Sequence, residues 1–471
     1  MKKLLFIYPP STPVLREDRC PVPGRNVVMS PPLPPTDLMY MAAIGEEAGC
    51  TCRIADYPAE KRGMNDFIDD LNLFQPELLV VHTTTPTMGE DLKACRVARR
   101  SRPDLVIAAK GSHFLRFDRE VLESAPALDM VIRGEPEITL KEILAGTRLE
   151  EVAGITWRRG GRTVRNPDRP FHETLDDFPF PARHLVDHRR YRRPDTGRPL
   201  AVVKVSRGCP YYCFFCLATP VSGRTVRLRQ PERIVEELSA CVREFGFRDF
   251  ILWSDVFNFS KPWVLELCNA ISSSGLDVRW SASIRADLMD LETGKAMRSA
   301  GCELVSIGIE TGSQEMLDQM DKKTTLDALR RGVAASQQAG LKTLGYFMFG
   351  LPWETEESLS ETLRFALELN TDYASFFVAA PLPGTKFFDY ALEEGLMQTR
   401  GLHANGLFGN AYYQAMLDSA GLGAGVITEF RNKAVRAYFF RPRYLARRLA
   451  GIGSWQELVS HVRAGLSLLR R

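Results

Sequence analysis

Ser206-Arg207-Gly208-Cys209-Pro210-Tyr211-Tyr212-Cys213-Phe214-Phe215-Cys216 is the stretch on which the reading of this 471-residue chain turns. Three cysteines spaced CxxxCxxC supply three thiolates from one short loop. A 4Fe-4S cluster normally takes four, so a triple leaves one iron open to a small molecule. With ten cysteines in the chain, random placement yields this spacing with an expectation of only about 0.004. Tetrahedral zinc completed by a distant His or Cys is the alternative, although its ligands more often come as two CxxC pairs and no second pair follows. Arg207, Gly208 and Pro210 mark an irregular loop rather than an apolar stretch that would bury unliganded thiols.

Reading outward, apolar runs at 4–8, 52–56, 78–82, 105–109 and 130–133 alternate with stretches of helical period at 37–49, 64–74, 90–100 and 119–124. Such alternation predicts a doubly wound parallel sheet of flavodoxin-like order, whose ligands sit at the carboxyl ends of the strands. Three loops mark those ends: Thr83-Thr84-Thr85-Pro86-Thr87, Lys110-Gly111-Ser112-His113 and Arg133-Gly134-Glu135-Pro136-Glu137. Glycines there let a flat ligand approach the backbone, and hydroxyls offer hydrogen bonds, although ordinary loop chemistry reads the same way. Gly154–Val164 reads as a hairpin turning at Gly160-Gly161.

From about 200 to 390 a second alternation places strands at 201–205, 250–253, 278–283, 304–309, 342–349 and 374–380, with helices such as 231–245 and 354–369 between them. Six βα units predict a partial TIM-type barrel with its chemistry at the carboxyl ends of the strands, and the cysteine loop follows the first of them. The expected fold class is therefore α/β. A flavodoxin-like (Rossmann-type) domain spans 1–145, a linker with a hairpin 146–195, a partial (β/α)6 barrel 196–390 and a small, mainly helical basic region 391–471.

CxxxCxxC with an aromatic, Phe215, before the last cysteine resembles the radical S-adenosylmethionine (SAM) enzymes. The resemblance covers about residues 1–390. It implies that Cys209, Cys213 and Cys216 hold a 4Fe-4S cluster, and that the open iron takes the amine and carboxylate of SAM. One electron from an external donor such as flavodoxin or ferredoxin would then release a 5′-deoxyadenosyl radical. Phe215 would lie against the adenine, Asp255 would accept from the SAM amine, and Arg285 would pair with the SAM carboxylate. Glu310, within Gly308-Ile309-Glu310-Thr311-Gly312, suits a ribose hydroxyl or the sulfonium neighbourhood. Gly350 ends a segment whose backbone would hold adenine, while core packing explains Phe347 and Phe349 equally well.

The three upstream loops, with Ser30-Pro31-Pro32-Leu33-Pro34-Pro35, resemble the cobalamin-binding domain of one radical SAM subgroup, which includes proteins acting on hopanoid lipids and porphyrin esters. Thr83, Thr85, Gly111, Ser112, Gly134 and Glu135 are its expected contacts. The Asp-x-His-x-x-Gly loop that gives cobalt a lower imidazole elsewhere is replaced by Asp56-Tyr57-Pro58-Ala59-Glu60-Lys61, with no His. His82 and His113 are read as hydrogen-bonding residues.

Cobalamin-dependent chemistry on an unactivated carbon of a small, hydrophobic metabolite follows from the resemblance, either methylation or ring rearrangement or closure. A methylthiotransferase acting on RNA or protein would need a further cluster, which the spacing of Cys20, Cys50, Cys52 and Cys95 does not provide. A non-catalytic cobalamin or cluster sensor is the reading from another class.

Net charge is +3, so nucleic acid is not an expected partner. The charge is nevertheless uneven: from Glu429 onward ten Lys or Arg face two acids, a surplus of +8 that leaves the rest at −5. Phe439–Leu449 and the apolar positions Leu458, Val462, Leu466 and Leu469 read either as helices on an anionic membrane surface or as a domain cap with a solvated basic face. No run approaches a membrane span, and unpaired cysteines beside a thiolate-held cluster place the protein in the reducing cytoplasm, with peripheral contact at the inner membrane face as the variant.

Overall fold

The computed structural model of the protein describes residues 2–17, 22–23, 33–193, 196–397, 417, 419, 421–442 and 444–446. The first sheet contains β1 (Lys3–Tyr8), β2 (Thr51–Asp56), β3 (Leu78–His82), β4 (Val106–Lys110) and β5 (Met130–Ile132), all parallel in the order β2-β1-β3-β4-β5. That is the flavodoxin-like order expected. Both faces are covered: Leu5 and Ile7 enter one apolar cluster while Leu4, Phe6 and Tyr8 enter the other. A strand buried on both sides reads as a continuous apolar run, which is why Leu4–Tyr8 carries no alternation.

The hairpin β6 (Ile155–Arg159) and β7 (Arg162–Arg165) turns at Gly160 and Gly161 as expected. Rather than standing apart as part of a linker, it pairs antiparallel with β5 and extends the first sheet to seven strands. Thr156, Trp157 and Ile155 are buried by that pairing.

The second sheet is six-stranded and wholly parallel: β8 (Leu200–Lys204), β11 (Asp249–Trp253), β12 (Arg279–Ile284), β13 (Cys302–Glu310), β14 (Lys342–Phe349) and β15 (Tyr373–Val378), in that order. Its first and last strands do not pair, so the barrel is partial. Between β8 and β11 a two-stranded ribbon, β9 (Ser206–Arg207) and β10 (Arg227–Leu228), closes the neck of the cysteine loop. Burial alternates along β12 and along the middle of β13 and the end of β14. Trp280, Ala282, Val305, Ile307, Phe347 and Phe349 pack outward under the helices. Ser281, Ser283, Ser306, Gly308, Tyr346 and Met348 face inward and stay only half-buried. An interior lined by small and polar groups leaves room inside the sheet, unlike the filled core of a closed barrel.

The C-terminal helix Ala424–Phe439 packs Ile427, Ala434, Val435 and Tyr438 into the core of this sheet. Arg431 Nε donates to the Phe376 carbonyl at 3.0 Å, and Tyr438 Oη donates to the Thr371 carbonyl at 2.6 Å. Arg441 lies over the rings of Tyr438 and Tyr444, and Tyr444 is buried against the same core. The described part of the basic region is thus a cap on the barrel. Leu458, Val462, Leu466 and Leu469 lie outside the described residues, and no described helix is long and apolar enough to cross a membrane.

Candidate active site

The cysteine loop begins one residue past β9 because Gly208 turns the chain with φ +97. A Cβ there would meet the Thr225 carbonyl oxygen at 2.0 Å, so only glycine fits between the ribbon and the loop. Several bonds fix the loop's path. Gly208 N–H donates to Asp255 Oδ2 at 2.7 Å and Cys209 N–H to the Gly223 carbonyl at 3.0 Å. Thr219 Oγ1 donates to the carbonyls of Cys209 and Tyr211 at 3.1 and 2.7 Å. Cys213 is buried, and Cys209 and Cys216 are partly so.

Burial pushes the thiols of Cys209 and Cys213 up, which by itself disfavours thiolate. Local donors act the other way. The Tyr211 backbone N–H bonds Cys209, the Ala218 N–H approaches Cys216 Sγ at 3.4 Å, and the Lys322 and Arg285 cations stand near Cys213. Amide donors and cations around three thiols are what an anionic, thiolate-held cluster requires, so the donor set fits an iron–sulfur group. Among the described residues no three His, Cys, Asp or Glu side chains converge on a single metal ion. A four-iron cube needs less convergence, one thiolate per iron.

Glu310 ends β13 at a bulge in its pairing with β14 and holds φ +68, a conformation rarely taken by a residue with a side chain. Its carboxylate meets Lys322 Nζ at 2.7 Å, and both are buried. Burial lowers Lys322, yet Glu310 outweighs it and the ammonium stays charged. Arg285 commits its guanidinium to Asp287, at 3.0 and 2.8 Å, and to the Lys322 and Lys323 carbonyls at 2.9 and 3.3 Å. The guanidinium carbon also stacks 3.6 Å from the centre of the Tyr211 ring. In this arrangement Arg285 braces the cysteine loop. Phe215 packs with the cluster of Phe214, Met320, Leu351 and Phe387 beneath the loop. Gly350, at φ +84, gives its N–H to Glu354 Oε2 at 3.0 Å, and Phe347 and Phe349 stack on Phe376 in the core. Glu354 had no role in the sequence reading. Burial raises its carboxyl to about 7 against hydrogen bonds from Ser358 and the Gly350 and Leu351 amides.

The expected corrinoid-side residues divide into two groups. Thr83 Oγ1 donates to the Lys110 carbonyl at 3.1 Å, and Thr85 Oγ1 pairs with His113 Nδ1 at 3.1 Å. A Cβ on Gly111 would meet the Thr83 carbonyl oxygen at 2.2 Å, and Ser112 is buried beside it. These four form the packed floor at the ends of β3 and β4. Gly134 and Glu135 instead line an open cavity, shared with Ser206, Arg207 and Asp255 from the cysteine-loop side. Gly134 has φ +68 with nothing within 4 Å of where a Cβ would stand, which leaves a flat ligand room to approach its backbone. Ser206 Oγ is buried there with no hydrogen-bond partner among the described residues, so the wall carries polarity that a bound group would satisfy.

A second lobe shares Glu17, Asp37, Lys204 and Trp253 with the first. Asp37, in the first turn of the helix Thr36–Glu47, is held by Lys110 at 3.0 Å and by Lys204. Burial pushes Asp37 up, but the two ammonium groups outweigh it and hold the carboxyl well below its usual range. Sequence reading gave these charges no role, took Arg207 and Glu137 only as loop residues, and missed Arg227. The available signal was Lys110 and Lys204, cations that end otherwise apolar strands. Asp56, where a cobalt-ligating loop would carry its His two residues on, instead caps the short helix Tyr57–Glu60 and accepts from Tyr191 Oη at 2.9 Å. Cys50 and Cys52 belong to one apolar cluster of the first sheet and Cys95 to the other, so the sheet separates them.

Family comparison matches residues 26–144 to the B12 binding domain and 203–366 to the Radical SAM superfamily. An uncharacterized methyltransferase of Pyrococcus horikoshii is 30% identical over 401 residues, 84% of each chain. The anaerobic magnesium-protoporphyrin IX monomethyl ester cyclase of Cereibacter sphaeroides is 28% identical over 75% of this chain and 60% of its own. Among solved structures, the radical S-adenosylmethionine methyltransferase TsrM from Kitasatospora setae, with cobalamin and a [4Fe-4S] cluster bound, superposes with a TM-score of 0.67 at 18% identity, over 84% of this chain and 75% of that one.

Proposed function

The chain belongs to the radical SAM superfamily and carries a B12-binding domain ahead of its radical SAM domain, and from that membership we propose that it is a cobalamin-dependent methyltransferase acting on an unactivated carbon of a small hydrophobic metabolite. The observation that carries this reading is the shared cavity. Gly134 and Glu135 of the B12-binding domain and Ser206, Arg207 and Asp255 beside the cysteines wall the same space. Two cofactors held at its two sides would meet there without a mobile carrier. Cys209, Cys213 and Cys216 would hold the 4Fe-4S cluster, with SAM at the fourth iron. When bound, the cluster and SAM supply a carbon-centred radical from one electron, and cobalamin supplies a carrier for the methyl group.

The chain's own residues position and seclude. Arg285 and Thr219 hold the cysteine loop rigid. Asp255 and the Glu310–Lys322 pair would supply charge to the SAM end groups, and Phe215 would offer an apolar face to adenine. Leu15, Leu33, Pro34, Val202 and Trp253 give the second lobe an apolar wall suited to a hydrophobic substrate. An external one-electron carrier of the flavodoxin or ferredoxin kind is the implied partner. Ring closure is a second reading, favoured by the 28% identity to the porphyrin ester cyclase.

Anaerobic purification of the full chain with metal and corrinoid analysis, followed by reaction with methyl-labelled SAM, tests the proposal. About four irons per chain, bound corrinoid and 5′-deoxyadenosine formation, all of the iron-dependent signals lost in Cys213→Ala, are expected. Zinc in place of iron sinks it. Iron and corrinoid without SAM cleavage favour the sensor reading, and cleavage with substrate consumed but no label transferred favours ring closure.

A further inference from the structure

In the ribbon at the neck of the cysteine loop, Arg207 stands directly opposite Arg227. Like charges facing across a ribbon repel, so this neck needs an external counter-charge. One turn of the B12-binding domain provides it. Glu135 takes both arms of Arg227, at 2.9 and 2.7 Å, and lies 3.3 Å from Arg207 Nη1, while Glu137 receives Arg207 Nη2. Arg227 also donates to the Ser222 and His172 carbonyls, both at 2.7 Å, so the clamp reaches both the cysteine loop and the segment between the hairpin and the barrel. All four charged groups are largely buried, where removing one partner strands the others. The same turn carries Gly134, and Gly134, Glu135, Glu137 and Arg207 all line the shared cavity.

We propose that Glu135 is a positioning residue that couples occupancy of the cavity by a corrinoid to the conformation of the cluster loop. A ligand pressing on the Gly134–Glu137 turn shifts the carboxylates that hold Arg207 and Arg227, and Cys209 lies two residues beyond Arg207. The coupling rests on the cofactor reading given above. By linkage it is reciprocal: SAM at the cluster changes corrinoid affinity by the same factor that corrinoid changes SAM affinity.

The test measures hydroxocobalamin binding by absorbance on the anaerobically reconstituted full chain, with its cluster oxidised, in the presence and absence of SAM. In the wild type SAM shifts the corrinoid Kd by about fivefold or more. In Glu135→Gln that factor collapses toward one, and in Glu135→Asp, which keeps the charge, most of it returns. A merely structural role would weaken both affinities and leave their ratio unchanged. An unaltered factor in Glu135→Gln, or a wild-type factor of one, overturns the proposal. Should Glu135→Gln fail to fold, Glu137→Gln, which weakens the hold on Arg207 and leaves Arg227 paired with Glu135, is read the same way with an intermediate factor expected. A wild type that binds no corrinoid or no SAM sinks the functional reading and the coupling with it. Binding of both without mutual effect sinks the coupling alone.

Discussion

The parallel strands of both sheets turn their carboxyl ends toward one cavity, yet the two ends are built on opposite plans. At the first sheet the hydroxyls are spent on the protein itself: Thr83 on the Lys110 carbonyl, Thr84 on Thr87, Thr87 on Asp91, and Thr85 on His113. What remains for a ligand is backbone and shape, with the open space over Gly134 as its clearest mark. At the barrel end, thiols, the buried Ser206 hydroxyl and the strained Glu310 are offered as chemical groups. A large preformed cofactor can be held by surface complementarity, whereas a cluster assembled in place needs ligand atoms at set positions.

The sharpest break in this comparison is Cys213→Ala. Iron and SAM cleavage are expected to fall to background while hydroxocobalamin still binds, read by metal analysis and absorbance. Next come two matched glycines, one at each end. Gly208→Ala drives a Cβ to 2.0 Å from the Thr225 carbonyl oxygen, and Gly111→Ala drives one to 2.2 Å from that of Thr83, both at positive φ. Each is expected to cost about 2–4 kcal/mol in denaturant unfolding. Gly208→Ala should preferentially lose iron and Gly111→Ala corrinoid, and the reverse pattern would refute the division of labour.

A smaller effect depends on pH. Glu354 titrates near 7 in the fold against an ordinary value of 4.5, so the folded state holds its proton after the unfolded chain has released it. Stability therefore falls as pH rises from about 4.5 through about 7, by on the order of 3 kcal/mol, and is at its fullest below that window. Glu354→Gln should flatten this part of a Tm-against-pH profile. The smallest change expected is in Tyr438→Phe, which removes the bonds from the C-terminal cap to Thr371 and should cost about 1–2 kcal/mol with cofactor binding intact.

Most of the architecture was legible because it repeats. β3, β14 and the helices Met64–Phe74 and Pro231–Phe245 fall at the boundaries that period and punctuation predict. The hairpin was legible as a hairpin, but its place was not, since the partner of β6 is chosen by the exposed edge of β5 rather than by anything within 154–164. Arg285 and Glu310 were legible as charged residues at strand ends. Their engagement with Asp287 and Lys322 depends on how the 310–323 segment folds back.

Local chemistry written into consecutive residues was therefore decided by sequence alone: the three-thiolate loop, the two βα alternations, the missing His after Asp56, and the irregular backbone that Gly208 and Pro210 mark. Tertiary structure alone decided who answers whose charge. Arg207 finds Glu137 across 70 residues, Arg227 finds Glu135 across 92, and Lys204 finds Asp37 across 167. Ion pairs of this kind follow no period and no motif. They depend on distance and desolvation in space, and both are set only when the two sheets come to face each other.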